Sequence, residues 1–338
     1  MKAYRTFTVR PGTPLQELAK YPGMRPARNW RILPVAAAAL LLTAGTASAH
    51  VHTNRNLIPR HGALFGAFVN RGGDPWANVV GFERKLGFKL TIVHHYRPWS
   101  ISSFKIDKAA LSHRQIPMIS WSPGGTTTAA AISSGSQDAL IKRTARAIKG
   151  LHKKIFLRLA YEMDQPHGSP RYIGTPREFV PAWRRVVRIF RNVGALNARF
   201  VWCGIAANFK TGHAQAYYPG DRYVNWIAAD GYNWYPSKRK WAGYRSIFSS
   251  FYRWAGHHGK PLMIAETGSM EDPHSGGHKA HWMTRARKWV HAHHKLKALV
   301  YFDSISPKGY DFRVQTSGSA LHAFRRWGRG TYWNRMHR

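Results

Sequence analysis

Cysteine is nearly absent from the 338-residue chain; Cys203 is the only one. A single thiol excludes an internal disulfide framework and any CxxC metal or redox site. Acidic residues are scarce too, 15 against 52 Lys and Arg, a formal net charge of +37. No heptad, collagen period or internal repeat of roughly 20–50 residues is present, which excludes fibrous and solenoid architectures. No apolar run reaches the ~20 residues needed to span a bilayer. What is present is 44% hydrophobic and 13% aromatic residues, too apolar a composition for a chain kept disordered by its charge. The result is a globular protein of one large or two ordinary domains. Its charge alone points first to a nucleic-acid partner.

The N-terminus weakens that first reading. Residues 32–45 read ILPVAAAALLLTAG, preceded by Arg25, Arg28 and Arg31 and followed by Ala47 and Ala49. A basic segment, a short apolar run and an A-x-A site describe a secretory signal peptide over residues 1–49. Met24 makes an alternative start, because a chain beginning there has an ordinary basic leader. Removing residues 1–49 takes away 7 basic and 1 acidic residue, leaving 45 and 14, a net +31 over residues 50–338. The expected location is secreted, extracellular or associated with the cell envelope. An exported protein rarely meets nucleic acid, so no nucleic-acid partner is expected, and Cys203 is expected to be a buried thiol.

Eight short apolar runs follow, over residues 63–69, 89–96, 116–123, 154–164, 199–207, 226–234, 261–268 and 296–304. They are β-branched or aromatic, as strands buried on both faces are. Helical patterns lie between them, among them TPREFVPAWRRVVRIFRNVG, with Thr175 as N-cap, Pro176 at the first position, Glu178 at the third and Gly194 as terminator. Eight alternations in this length predict a single (β/α)8 TIM barrel of the α/β class over residues 50–338. An open doubly wound sheet is the alternative, and no Gly-rich phosphate loop follows the first run to favour it.

Barrel chemistry sits at the C-terminal ends of the strands. There the fourth run ends Arg158-Leu-Ala-Tyr161-Glu162-Met-Asp164, and the seventh Ile264-Ala265-Glu266-Thr267-Gly268. Glutamate is uncommon in strands, so two at matched tips mark a site, with an ion pair to an arginine as the structural alternative for each. Carboxyls ~5–5.5 Å apart serve a retaining glycosidase, whereas a gap of ~6.5–9.5 Å admits a water and predicts inversion. Arg158 precedes Glu162 by four residues, so strand alternation predicts that both face the barrel interior. A buried guanidinium there needs Glu266 or Glu162 as its anionic partner.

The segments RLAYEMD, YYPGDRYVNWIAADGYNWY (217–235) and GKPLMIAETGS (259–269) resemble glycoside hydrolase family 26 over nearly the whole of residues 50–338. That resemblance implies a retaining endo-β-glycosidase with Glu162 as acid/base and Glu266 as nucleophile. It places Arg158 on the family's arginine before the acid/base, Tyr232 on a tyrosine that positions the nucleophile, and Asp230 and Trp234 in the same active-site strand. The family's mannanases typically read His-Glu-Met-Asn where this chain has Tyr161-Glu162-Met163-Asp164. The usual Gly-x-Trp after it is replaced by Gln165-Pro166-His167. The implied substrates are β-1,4-mannan, β-1,3-xylan or mixed-linkage β-glucan, with no choice among them. A non-catalytic glycan- or envelope-binding protein on the same fold is the alternative function.

Sugar faces stack on aromatic rings, so Trp234 and Trp121 at strand ends are candidate subsites, with core packing as the alternative. Tyr301 and Phe302 are weaker candidates. His94 and His95 close the second run, and the match favours His95 as a sugar ligand. Histidines cluster around residues 274–294, where His278 and His281 share a helix face. Without a neighbouring Cys or repeated acid, no metal site and no cofactor is expected. The basic helix faces, such as Arg184, Arg185, Arg188 and Arg191, predict electrostatic association with an anionic cell envelope. The protein is expected to act as a monomer.

Overall fold

The computed structural model describes residues 54 and 56–334. The signal segment at 1–49 and the alternative start at Met24 lie outside these residues, as do the outermost few positions of the 50–338 domain. Eight parallel strands form the sheet: β1 Ala63–Val69, β2 Ile92–Arg97, β3 Ile116–Trp121, β4 Ile155–Leu159, β5 Ala198–Ile205, β6 Trp226–Asn233, β7 Leu262–Ser269 and β8 Leu296–Asp303. Each pairs with the next, and β1 pairs with both β2 and β8, which closes the barrel. A two-residue strand, β9 Trp333–Asn334, adds beside the start of β1.

The connections are helical. α1 Pro75–Leu86 follows β1 and α2 Lys105–Ser112 follows β2, while α3 Ala129–Ser134 and α4 Asp138–Lys149 follow β3. After β4 comes α5 Pro176–Val193, and after β5 only the four-residue α6 His213–Ala216 between 3₁₀ turns. α7 Tyr244–Ala255, α8 His278–Ala292 and α9 Gly318–Arg329 follow β6, β7 and β8. The start of α5 shows the local chemistry. The Thr175 N–H and hydroxyl both donate to Glu178 Oε2, at 2.7 and 2.8 Å, while Gly194 ends the helix at φ 75°, where a side chain is strained.

Strand alternation sorts the core into two layers. Leu64, Met118, Phe156, Val201, Trp226, Met263 and Val300 fill the barrel interior. Phe65, Ile119, Leu157, Phe200, Ile227, Ile264 and Leu299 pack outwards against the helices. Trp226 plugs the N-terminal end, donating its indole N–H to Asn56 O at 2.7 Å and meeting Phe156 edge-on. Gly66 on β1 admits no side chain, since a Cβ there lies 2.6 Å from that of Ile92. The interior is therefore solid at its base and polar only towards the C-terminal mouth.

Candidate active site

Arg158 is the penultimate residue of β4, which stops at Leu159. Alternation alone does not carry Glu162 inwards, as expected from sequence. Ala160 and Glu162 instead adopt left-handed backbone, φ 40° and 52°, held by donation from Ala160 N to Trp121 O at 2.7 Å and from Glu162 N to Cys203 O at 2.9 Å. Such conformations cost about 1–3 kcal/mol each for a non-glycine residue and persist only where the surroundings impose them. The strained turn aims the Glu162 carboxyl into the mouth.

A different device turns Glu266. Met263 and Ala265 face the interior, so strict alternation would send residue 266 out to the helices. The β6–β7 register shifts between Ala229 and Asp230, pairing Ala229 with Ile264 but Asp230 with Glu266. This bulge makes Ala265 and Glu266 both face inwards, a re-aiming that bulges commonly perform beside sites.

Arg158 of β4 reaches residues of both strands from across the interior and is fully buried. Its Nη1 donates to both oxygens of Asp230, at 2.8 and 2.7 Å, and its Nη2 donates to Glu266 Oε1. Its Nε donates to Ser120 Oγ at 2.7 Å, and that hydroxyl lies 2.6 Å from His94 Nε2. Burial, reinforced by the charge of Arg158, keeps His94 well below the usual histidine range and so neutral. Cys203 is buried, with its thiol 3.1 Å from Asp230 Oδ1. The Tyr161 ring lies 4.3 Å from the guanidinium carbon, so one face of Arg158 is covered by an aromatic plane.

The two glutamates have unlike surroundings. Tyr96 donates to Glu266 Oε1 at 2.6 Å and Tyr232 donates to Oε2. Burial pushes the Glu266 carboxyl up, but the Arg158 charge and these hydroxyls outweigh it and hold it below the ordinary value. Glu162 accepts from Gln165 Nε2 at 2.9 Å and lies 3.1 Å from Arg171 Nη1. Burial raises its carboxyl above the ordinary value against the pull of Arg171, and the negative charge of Glu266 adds to the rise. The surroundings thus lower the proton affinity of one carboxyl and raise that of the other, a separation that acid–base work by two carboxyls can use.

Comparison with known proteins bears on the fold that carries this geometry. Endoglucanase H of Acetivibrio thermocellus is 32% identical over 278 residues, covering 78% of this chain. The chain spans only 30% of that relative's length. The family 26 β-mannanase of Bacteroides ovatus superposes with a TM-score of 0.62 at 14% identity, covering 82% of this chain and 91% of that one. The endo-β-1,4-mannanase of Cellulomonas fimi, also a family 26 enzyme, gives a TM-score of 0.60 at 16% identity over 80% of this chain and 71% of that one. No family model matches the chain. The fold is that of glycoside hydrolase family 26.

On this family 26 fold, the structure gathers Arg158, Tyr161, Glu162, Asp230, Tyr232 and Glu266 at the mouth. Phe302 is buried beside them, stacked on Phe68 and edge-on to Tyr232. Trp234 is partly exposed, its ring set against Tyr232, Tyr310 and Phe312. Two expected ligands are elsewhere. Trp121 is fully buried, stacked on Trp99 at 4.2 Å with its N–H donating to Trp99 O. Met118 and Ser120 take the inward positions of β3, so Trp121 faces the helices and offers no ring to a sugar. His95 likewise points outwards, 2.7 Å from Asp107 on α2, and His94 is the inward one. Tyr301 is also buried, donating to Phe312 O.

Sequence reasoning missed four contributors: Tyr96, Ser120, Gln165 and Arg171. Tyr96 carried a signal, since it lies two residues after His94 and shares its face. Arg171 carried none, because it stands in a loop. His278 is engaged by Asp272 at 2.7 Å and stacks on Trp241. Among the described residues no group of three His, Cys, Asp or Glu stands where it could hold a metal ion, and no helix is long and apolar enough to cross a membrane.

Proposed function

We propose that the protein is a retaining endo-β-glycosidase acting on a β-linked polysaccharide of the β-1,4-mannan, β-1,3-xylan or mixed-linkage β-glucan kind. The observation that carries this reading is the pair of carboxyls in the turn after β4 and on β7, pushed apart in proton affinity by burial on one side and by Arg158, Tyr96 and Tyr232 on the other. Glu266 Oε attacks the anomeric carbon while the protonated Glu162 delivers its proton to the departing glycosidic oxygen, so one C–O bond forms as the other breaks. Glu162, now ionised, takes a proton from water as that water attacks the same carbon and releases Glu266. Trp234 provides a ring for a sugar face, and Phe302 backs the wall of the cleft.

We also propose that the protein is exported and held electrostatically at an anionic envelope, which follows from residues 25–49 and the +31 charge of residues 50–338. The test of the enzymatic reading is a panel of mannan, xylan and mixed-linkage β-glucan assayed for new reducing ends. Wild type should release them, and Glu266→Ala should not. Binding without cleavage in both forms would instead make this a glycan-binding protein on an enzyme fold.

A further inference from the structure

Glu162 has a neighbour that works against its role as a proton donor. The Arg171 side chain, 47% exposed on the loop between β4 and α5, places its Nη1 3.1 Å from Oε2 of Glu162, whose side chain is only 12% exposed. It leans over the Tyr161 ring, with its carbon 5.7 Å from the ring centre. A charge-assisted contact of this kind favours ionised Glu162. The other groups acting on Glu162 are Glu266, Arg158 and Asp164. Arg158 is already taken by Asp230 and Glu266, and Asp164 by Ile205 N and Asn208. Arg171, which also shares a hydrogen bond with the Tyr161 side chain, is therefore the partly exposed cation at the acid/base that can change partners. Another exposed cation, Lys238, has its Nζ 5.8 Å from the ring centre of Trp234.

We propose that Arg171 is the specificity-determining residue of this cleft and receives an anionic substituent of the substrate, so that the preferred glycan is an acidic β-linked polysaccharide. The proposal rests on the glycosidase reading above and narrows its substrate class. A planar guanidinium accepts a carboxylate or a phosphate through two parallel N–H donors. When that anion takes Arg171, Glu162 loses the charge that opposes its protonation, so its proton affinity rises further, and burial then holds the proton until the glycosidic oxygen accepts it. A neutral glycan leaves Arg171 on Glu162 and gains none of this. Acidic substrate and protonated acid/base are thereby linked through one side chain.

The experiment compares mannan, xylan and mixed-linkage β-glucan with their carboxymethylated and phosphorylated forms, in both cleavage and binding. The proteins are wild type, Arg171→Gln, Arg171→Lys, and Arg143→Gln on the exposed face of α4, which removes the same charge away from the site. Binding is measured in the Glu266→Ala background, so that it does not depend on turnover. Wild type should favour an acidic form by about ten-fold or more, the scale of one charged contact. Arg171→Gln should lose that preference, Arg171→Lys should keep part of it, and Arg143→Gln should keep all of it. Whichever acidic form is preferred identifies the anion. Equal handling of acidic and neutral forms by wild type would overturn the proposal, and so would equal losses in Arg171→Gln and Arg143→Gln. Cleavage of neutral polymers in that case would leave the glycosidase reading standing. Absence of any cleavage would remove that reading, and the binding preference would still decide the role of Arg171.

Discussion

Arg158 and Glu266 are joined across the barrel interior, the guanidinium of β4 donating to the carboxylate of β7 while its other arm grips Asp230 on β6. All three are buried, so bulk solvent poorly replaces a lost partner in this charge cluster. Removing one partner of a buried ion pair costs about 3–5 kcal/mol because it strands the other. Arg158→Met should therefore lose stability on that scale in urea unfolding at pH 7. Arg158 is a principal cause of the low proton affinity of Glu266. The stability this contributes is present at neutral pH and is lost as pH falls through the lowered value. The gap between wild type and Arg158→Met should accordingly narrow on acidification.

The tyrosines beside Glu266 make a prediction about rate. Each hydroxyl bonds the ionised carboxylate, and a hydrogen bond to a charged group is worth about 1.5–3 kcal/mol. Tyr96→Phe and Tyr232→Phe should each reduce kcat/KM by about ten-fold or more. Both remove a donor that favours the charged form, so Glu266 protonates at higher pH in the variants. The acidic limb of the pH profile of kcat/KM should move upwards, and an unmoved limb would show that the hydroxyls act on substrate alone.

The barrel was legible in the sequence because each strand is a compact apolar run, and each of the eight runs overlaps one of the eight strands. The start and end of α5 were legible because Thr175, Glu178 and Gly194 act locally. Which face a strand-end residue takes was less legible. Trp121 and His95 sit at the right height in the barrel but on the outward phase, and a shift of one residue reverses the face. Glu266 shows the converse, since only the bulge after Ala229 turns it inwards, and no local sequence signal marks that bulge. Glu162 depends on a left-handed turn imposed by Trp121 O and Cys203 O, acceptors far away in sequence. Arg171 was invisible, because loop residues carry no periodicity.

The two tryptophans separate packing from binding. Trp121→Ala removes a fully buried ring and should destabilise the protein by about 3–5 kcal/mol, with KM near that of wild type in the folded fraction. Trp234→Ala removes a partly exposed ring and should raise KM with little change in Tm. Thermal unfolding and steady-state kinetics on the same preparations check both. A raised KM in folded Trp121→Ala would place that ring in contact with substrate after all.

Lys279 on α8 is fully buried and donates to Arg313 O at 2.6 Å and Thr316 Oγ1 at 2.9 Å, tying the helix to the β8–α9 loop. Burial lowers its proton affinity from the ordinary 10.5 to about 8, although Glu271, Asp303 and Asp311 oppose the fall. Between these two values the unfolded chain binds more protons at this position than the folded one, so stability rises with pH there. Wild type should gain stability relative to Lys279→Met as pH increases from 7 to 10, measured by urea unfolding. The difference between the two proteins cancels tyrosines and other groups that titrate in both. A constant difference would mean that Lys279 keeps its charge in the folded protein across that range.

Glu162 carries the last prediction, which concerns its role and not its presence. Proton donation contributes about 10²–10⁴-fold to such a step and matters most when the leaving group is poor. Glu162→Ala should slow cleavage of the polysaccharide by that factor while barely slowing the first step on an aryl glycoside whose phenol departs unprotonated. Glu266→Ala should abolish both, because no proton supply replaces a missing nucleophile. Equal losses on the two substrates in Glu162→Ala would remove the acid role from Glu162 and leave the division of labour between the carboxyls without support.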